Sequence, residues 1–539
     1  MKKHIEPRRF LLPFDSRALP HRFADVLVIG SGVAGLRAAL EAARHADVLL
    51  VSKEKLRECN THYAQGGIAV VLAKPDTFQA HIDDTLTVGQ GLCVPDVVAT
   101  VVSEGPDRIR ELVAGGAEFD EEPGGLNLTR EGGHSQARII HAQGDATGAE
   151  VERALIQQVA NCPRIQTLDH TFVVDLLTDD GECLGAILSS QVQGITLVWA
   201  QQTILASGGL GQVYRETTNP DVATGDGIAI AYRAGAVLQD MEFVQFHPTT
   251  LYIAGASRWL ISETVRGEGA YLVNNTGNRF MPRYHADAEL APRDVVSRSI
   301  LAEMRATGAT HVCLDLRHLD AEHVRSRFPT IARVCKQFDL DIGTDLIPVR
   351  PSAHYMIGGV RIDLDARTSL PRLYACGECS CSGLHGANRL GSNSLLEGLV
   401  FGYRAGKGAG QAAAASAQPV TPRPIHSAVP PTTQEDGLDL GDLSNALKSL
   451  MWRQVGIERD DALLHNAEEN IDFWCSYAMV KEFNFRGGWE LQNMLTLAKT
   501  ITIAARQRTE SRGVHFRSDF PSIDDEHWNT HITFQRSED

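Results

Sequence analysis

The clearest pattern of apolar and polar positions lies between Ala24 and Lys53. Asp25–Ile29 and Ala46–Val51 are short, nearly continuous apolar runs of the kind found in strands buried on both faces. Between them, Gly30-Ser31-Gly32-Val33-Ala34-Gly35 predicts a tight turn that opens an alanine-rich helix. Strand, turn, helix and strand together predict a βαβ unit. Its first glycine allows the turn, its second lets backbone approach a pyrophosphate, and its third lets helix and strand pack closely. The start of the helix presents free N–H groups and a positive dipole end to phosphates. Such units usually close their second strand with Asp or Glu on a ribose hydroxyl. This one closes with Val51-Ser52-Lys53, so it indicates a dinucleotide without saying which.

Further along, Cys59-Asn60-Thr61-His62-Tyr63-Ala64-Gln65-Gly66-Gly67 is a polar, glycine-terminated loop suited to wrapping a ligand. His81–Val88 and Pro95–Val113 carry helical periodicity and no evident chemistry. Leu128–Gly148 gathers Arg130, Glu131, His134, Arg138, His141 and Asp145 among glycines, a mixture that predicts a mobile surface loop or a site loop rather than core. Ile195–Ser207 predicts a strand leading into a second glycine-rich turn, Ala206-Ser207-Gly208-Gly209-Leu210-Gly211, with Ala223-Thr224-Gly225-Asp226-Gly227 following. Two such turns far apart suggest that both ends of one long dinucleotide are held.

From Met241 the texture becomes mixed α+β with polar clusters, and Leu373–Glu378 and Gly391–Leu399 then restore the strand, turn and helix pattern. The expected organisation is an arm over 1–22, a dinucleotide domain over 23–240 and 356–420, and an inserted domain over 241–355. A Pro/Ser/Thr-rich linker over 421–442 and a helical domain over 443–539, including Glu490–Thr509, complete it.

Composition narrows the function. A net charge of −16 over 539 residues provides no overall basic field for nucleic acid or an anionic membrane. Ten scattered cysteines and the absence of a secretory pattern predict a reduced, cytoplasmic protein. The apolar run Phe10–Phe14 is short and interrupted by Pro13, so residues 1–22 read as a flexible arm. Cys376-x-x-Cys379-x-Cys381 lacks a matching second cysteine set, so no metal site is expected.

Gly30–Gly35, Ala64-Gln65-Gly66-Gly67, Ala223–Gly227, Phe243–Thr249, Ala375-Cys376-Gly377-Glu378 and Gly391-Ser392-Asn393-Ser394-Leu395-Leu396-Glu397 together resemble the flavoprotein subunits of succinate dehydrogenase and fumarate reductase. Within that superfamily the chain resembles the L-aspartate oxidases most closely, from about Ala24 to Pro521, ending with Thr509-Glu510-Ser511-Arg512-Gly513-Val514-His515. The resemblance implies an α/β fold: an FAD-binding Rossmann-like domain, an inserted α+β capping domain over the flavin, and a C-terminal helical domain. It implies FAD held by Gly30–Gly35, Lys53, Asn60, Thr61, His62, Tyr63, Ala64, Gln65, Gly66, Gly67, Asp226, Glu378, Ser394 and Leu395. Succinate dehydrogenases attach FAD covalently through a histidine; the aligned position here is Asn60, so noncovalent FAD is expected.

For the substrate, the resemblance implies that Arg389 and His354 hold one carboxylate and that His247 and Ser262 contact the other. It places Arg293 over the reacting carbons and makes Glu263 and Arg266 its proton relay. Where dicarboxylate dehydrogenases carry an apolar residue, Thr129-Arg130-Glu131-Gly132-Gly133-His134-Ser135 carries Glu131, as aspartate oxidases do. A charge-assisted hydrogen bond from a substrate ammonium to that carboxylate contributes about 1.5–3 kcal/mol, whereas succinate is repelled. The implied activity is oxidation of L-aspartate to iminoaspartate with oxygen or fumarate as acceptor, as the first step of NAD biosynthesis. Quinolinate synthase is the partner that receives the product, and neither nucleic acid nor membrane is expected as a partner. A soluble fumarate reductase or succinate-oxidising flavoprotein is the competing enzyme, and a non-catalytic nucleotide-binding regulator the competing class.

Overall fold

The computed structural model describes residues 7–123, 125–255, 258–416, 420–428 and 437–536. The central βαβ unit comprises β1 (His21–Ile29), α1 (Val33–Ala42) and β2 (Val48–Val51), with the two strands parallel. Helix α2 (Thr147–Ala160) leads to β3 (Ile165–Leu168), which extends the sheet beyond β2. On the other side, β4 (Thr171–Asp179), β5 (Glu182–Ser190) and β6 (Gly194–Leu205) form an antiparallel meander whose last strand pairs parallel with β1. The last four residues of β1, Val26–Ile29, are buried on both faces, which accounts for their unbroken apolar run.

The inserted segment builds its own sheet from β7 (Val244–Leu251), β8 (Tyr271–Val273), β9 (Val312–Asp315) and β10 (Ile347–Met356), in the order β7, β10, β9, β8 and antiparallel throughout. Short helix α3 (Glu263–Gly267) and helix α4 (Arg293–Thr307) complete it. Strands β7 and β10 run between two cores: Val244, Phe246, Ala353 and Met356 pack in the main core, while Leu251, Ile347 and Val349 pack with Leu272, Phe280 and Ile300. The mid-strand residues of both therefore fall at the joint between the two bodies.

The chain then returns as β11 (Leu373–Ala375), parallel to the end of β6, and as helix α5 (Asn393–Ala415). Helix α5 lies directly against α1 because both faces are small. A Cβ on Gly402 would stand 2.6 Å from the Ala34 carbonyl oxygen, and one on Gly406 2.3 Å from that of Ala38. Helices α6 (Leu440–Gln454), α7 (Asp461–Ala478) and α8 (Arg486–Gln507) close the fold. Their apolar faces, including Leu447, Ile471 and Leu495, share the main core rather than forming a separate one.

Two expectations need correction. Residues 7–20, read as part of a flexible arm, are packed: Leu11 is 1% exposed and donates its N–H to Asp175, while Phe10 and Phe14 join Trp199 and Trp489 in a buried cluster. Of the two readings of Leu128–Gly148, the mobile surface loop is overturned and the site loop stands, since Glu131, His134, Arg138, His141 and Asp145 are all buried. Its charges are compensated internally, with Arg138 donating to Asp76 at 2.8 and 2.9 Å and pairing with Asp84. A polar segment can be interior when every charge finds a partner. Residues 1–6 of the expected arm and 429–436 of the expected linker lie outside the described residues.

Candidate active site

At the β1–α1 turn the backbone leaves no room for side chains on one side and is open on the other. Gly30 has φ +114°, and a Cβ there would be 2.1 Å from the Ala206 carbonyl oxygen; one on Gly35 would be 2.0 Å from that of Gly30. A Cβ on Gly32 would meet the Thr61 hydroxyl at 3.3 Å and Cys59 Sγ at 4.0 Å, and this glycine borders a cavity. Thr61 also accepts the Val33 N–H at 3.0 Å, capping one of the free donors at the start of α1.

This cavity continues past Ser31–Ala34 and Lys53, along Asn60, Thr61 and Tyr63–Gly67, past Asp226 and Glu378, to Ser394 and Leu395 at the start of α5. The same space reaches Glu131, His247, Ser262, Glu263, Arg293, His354 and Arg389. Three of the residues singled out from the sequence do not border it. Gly35 sits behind the turn, His62 turns away to Glu152 at 2.8 Å, and Arg266 stands behind Glu263.

The cavity fits a long, polar dinucleotide on its own features. One wall is the backbone of Gly30 and Gly32, which presents no side chain to the space. Lys53 bonds to Thr224 at 2.7 Å and Asp226 at 2.6 Å and pairs with Glu490 of α8. Burial would raise the Asp226 carboxyl, but Lys53 outweighs it and holds the group below its ordinary range. Glu378 accepts from Asn60 Nδ2 at 2.7 Å and from the Met356 N–H at 3.1 Å, and burial lifts its carboxyl above the usual range. Ser52, which stands where such units usually carry an acidic residue, bonds to Ser31 at 2.9 Å.

At the other end the charged groups converge. A Cβ built on Gly391 would lie 3.1 Å from Arg293 Nη2, 3.4 Å from Glu131 Oε2 and 3.6 Å from Glu263 Oε2. Glu131, 5% exposed, accepts from Thr264 Oγ1 at 3.1 Å and from Ser392 Oγ at 2.7 Å. Arg293 is the first residue of α4, where the positive helix end favours an anion, and it donates to Glu263 at 2.5 Å. Burial would raise the Glu263 carboxyl, yet Arg293 and Arg266 together hold it low. Arg266 approaches the far oxygen of Glu263 at 3.6 Å.

The two histidines face each other edge to face at 5.2 Å between ring centroids, His247 from the middle of β7 and His354 from near the end of β10. Burial, reinforced by nearby guanidiniums, pushes both imidazoles well below their ordinary value, so both are neutral. His354 Nδ1 meets the Thr218 hydroxyl at 2.8 Å, and His247 Nδ1 lies 3.1 Å from the Thr249 carbonyl oxygen. Arg389 bonds to Ser394 at 2.7 Å and stacks 4.5 Å above the Tyr355 ring, whose hydroxyl donates to Glu397 at 3.0 Å.

Several cavity residues escaped the sequence reading: Thr171–Val173 at the start of β4, Thr218 and Asn219, Tyr355 and Ser392. Ser392 lay within a recognisable motif and Tyr355 beside His354, but neither was given a role. The cysteines of Cys376–Cys381 lie apart from the cavity lining, with Cys379 donating to the Leu205 carbonyl and Cys381 to Asp240. Among the described residues no helix is long and apolar enough to cross a membrane.

Residues 25–395 match the FAD binding domain family, and residues 444–539 match the fumarate reductase flavoprotein C-terminal family. An L-aspartate oxidase of Streptomyces coelicolor is 44% identical, covering 96% of this chain and 92% of its own length. One from Mycobacterium bovis is 46% identical, covering 92% and 93%. Among solved structures, a quinol-fumarate reductase with menaquinol molecules superposes with a TM-score of 0.88 at 32% identity, covering 96% of this chain and 98% of the other. The Mycobacterium smegmatis Sdh1 complex in the apo form gives 0.82 at 33% identity, covering 96% and 94%.

Proposed function

This chain belongs to the L-aspartate oxidase family, within the flavoproteins of succinate dehydrogenase and fumarate reductase, and on that premise we propose how its cavity oxidises L-aspartate to iminoaspartate. The cofactor is FAD, which when bound supplies the two-electron acceptor. Its holding residues are those of the glycine wall, Lys53, the Asn60–Gly67 loop, Asp226, Glu378 and the start of α5. Asn60 is committed to Glu378 and His62 faces Glu152, which supports a noncovalent cofactor.

The observation that carries the substrate reading is Glu131, a buried carboxylate bordering the same cavity as two guanidiniums. Arg293, Arg389 and Arg266 against Glu131 and Glu263 leave one unit of positive charge, with both histidines neutral. L-Aspartate, with two carboxylates and one ammonium, cancels that charge; succinate exceeds it. Arg389 and His354 grip one carboxylate, His247 and Ser262 the other, and Glu131 receives the ammonium. The nitrogen must release a proton before its lone pair can assist departure of the α-hydrogen as hydride, and Glu131 is the carboxylate facing it. Arg293 orients the substrate and balances the charge that develops.

The run Arg293–Glu263–Arg266 also favours a second reading, in which a guanidinium delivers a proton to a carbanion-like carbon and the two groups behind it restore that proton. Fumarate reduction needs such a relay, so fumarate serves as an acceptor alongside oxygen. The product is the substrate of quinolinate synthase, with which contact is transient, and the enzyme works in the cytoplasm. Anaerobic mixing with each substrate tests the assignment: L-aspartate is expected to bleach the flavin faster than succinate does. Bleaching by succinate alone would move the protein to the succinate-oxidising class.

A further inference from the structure

The two guanidiniums that serve the substrate, Arg293 and Arg389, are like charges that border one cavity, and something must hold them together when no dicarboxylate is present. Gln245 on β7 is 0% exposed and does not border the cavity. Its Oε1 accepts from Arg293 Nη1 at 3.2 Å and from Arg389 Nη1 at 3.2 Å. Its Nε2 donates to Asn388 Oδ1 at 3.0 Å and to the Arg389 carbonyl at 2.8 Å, so both ends of the amide are saturated.

The direction of this amide is set from outside. Asn388 Nδ2 donates to Asp294 Oδ1 at 2.9 Å, and Asp294 also holds Arg298 at 2.9 Å. Because a carboxylate only accepts, the NH2 of Asn388 must face Asp294 and its oxygen must face Gln245. The amide nitrogen of Gln245 therefore points to Asn388, and its oxygen is left for the arginines. A carboxylate at this place would attract the guanidiniums more strongly but would neutralise the charge that a dianion needs. A neutral acceptor holds them while leaving their charge available.

We propose that Gln245, oriented by Asn388 and Asp294, is a positioning residue that fixes the spacing of Arg293 and Arg389 and thereby sets the preference of the site for a diacid over a monoacid. This rests on the dicarboxylate reading of the cavity, but it is tested by equilibrium binding instead of turnover. Succinate and butyrate are titrated into the FAD-loaded full chain and followed by perturbation of the flavin spectrum.

In Gln245→Met, which removes the shared acceptor, succinate affinity is expected to fall at least about tenfold and butyrate affinity less than about threefold. Gln245→Glu keeps the shared acceptor but turns an oxygen toward Asn388 Oδ1 and the Arg389 carbonyl and cancels one positive charge, and its succinate affinity is expected to fall by at least about tenfold as well. Loosening of the fold alone would weaken both acids alike and lower FAD occupancy. An unchanged succinate-to-butyrate ratio in folded Gln245→Met overturns the proposal, and Gln245→Leu, which removes the same shared acceptor, decides if the methionine variant does not fold. Failure of L-aspartate to reduce the wild-type flavin would overturn the amino-acid reading and leave this test intact.

Discussion

At the scale of single residues, recognition of an amino group depends on one carboxylate and on what keeps it in place. Glu131 accepts from two hydroxyls, Thr264 and Ser392, which fix its direction while leaving lone pairs for a substrate ammonium. Ser392 is held at φ +63°, a backbone state that costs a non-glycine residue energy and is retained where surrounding structure enforces it. Glu131→Gln keeps the shape and removes the charge. Its preference for L-aspartate over succinate, measured as the ratio of kcat/KM, is expected to fall by about 10- to 100-fold, corresponding to the loss of about 1.5–3 kcal/mol. An unchanged ratio would show that the carboxylate does not meet the amine. Gly391→Ala is expected to weaken succinate binding while FAD remains bound, because the new methyl would stand 3.1 Å from Arg293 Nη2 and 3.4 Å from Glu131 Oε2 and displace both. Spectral titration with succinate checks this. Glu131 was legible through a short motif; Thr264 was not singled out, since a threonine in a polar stretch carries no signal until its partner is known.

At the scale of elements, the glycine stripe of α5 brings that helix onto α1 and sets where its N-terminus opens on the cavity. Gly402→Val forces β-branched bulk against the Ala34 backbone, where even one Cβ would be 2.6 Å from the carbonyl oxygen. Overpacking of this kind costs about 1–3 kcal/mol or more. The variant is expected to melt lower and to lose FAD on gel filtration; retention of both would show that α5 can shift without disturbing the cofactor cavity. Strands and helices of the βαβ unit were readable because continuous burial imposes an apolar run. The packed N-terminal segment was misread, and of the two readings of Leu128–Gly148 the surface loop was wrong, because the Trp199 cluster and the Asp76 and Asp84 partners come from distant parts of the chain.

Across the whole molecule, the site lies where the two cores meet, and burial there suppresses the charge on both histidines. Their folded values lie well below the ordinary imidazole value near ~6.5, so neither titrates between neutrality and mild alkali. Protonation would add positive charge and tighten dianion binding, so any pH effect from them belongs on the acid side. The succinate dissociation constant is therefore expected to vary less than about twofold between pH ~7 and ~8.5. A loss of affinity centred near pH ~7 would show that a protonated histidine takes part. The C-terminal helices also reach the site, since Glu490 of α8 pairs with the cavity residue Lys53. Charge compensation at the cofactor thus depends on a segment that sequence order places far from it.

The sequence by itself determined the dinucleotide unit, the family and the identity of most charged groups in the cavity, because glycine turns, buried strands and short motifs obey local constraints. Only the tertiary structure decided that Glu131 faces inward, that Gln245 stands between two arginines, and that His62 and Arg266 stand back from the cavity lining. Each of these depends on the partner that satisfies a buried polar atom. That partner lies on another element, at a distance along the chain that no local pattern records.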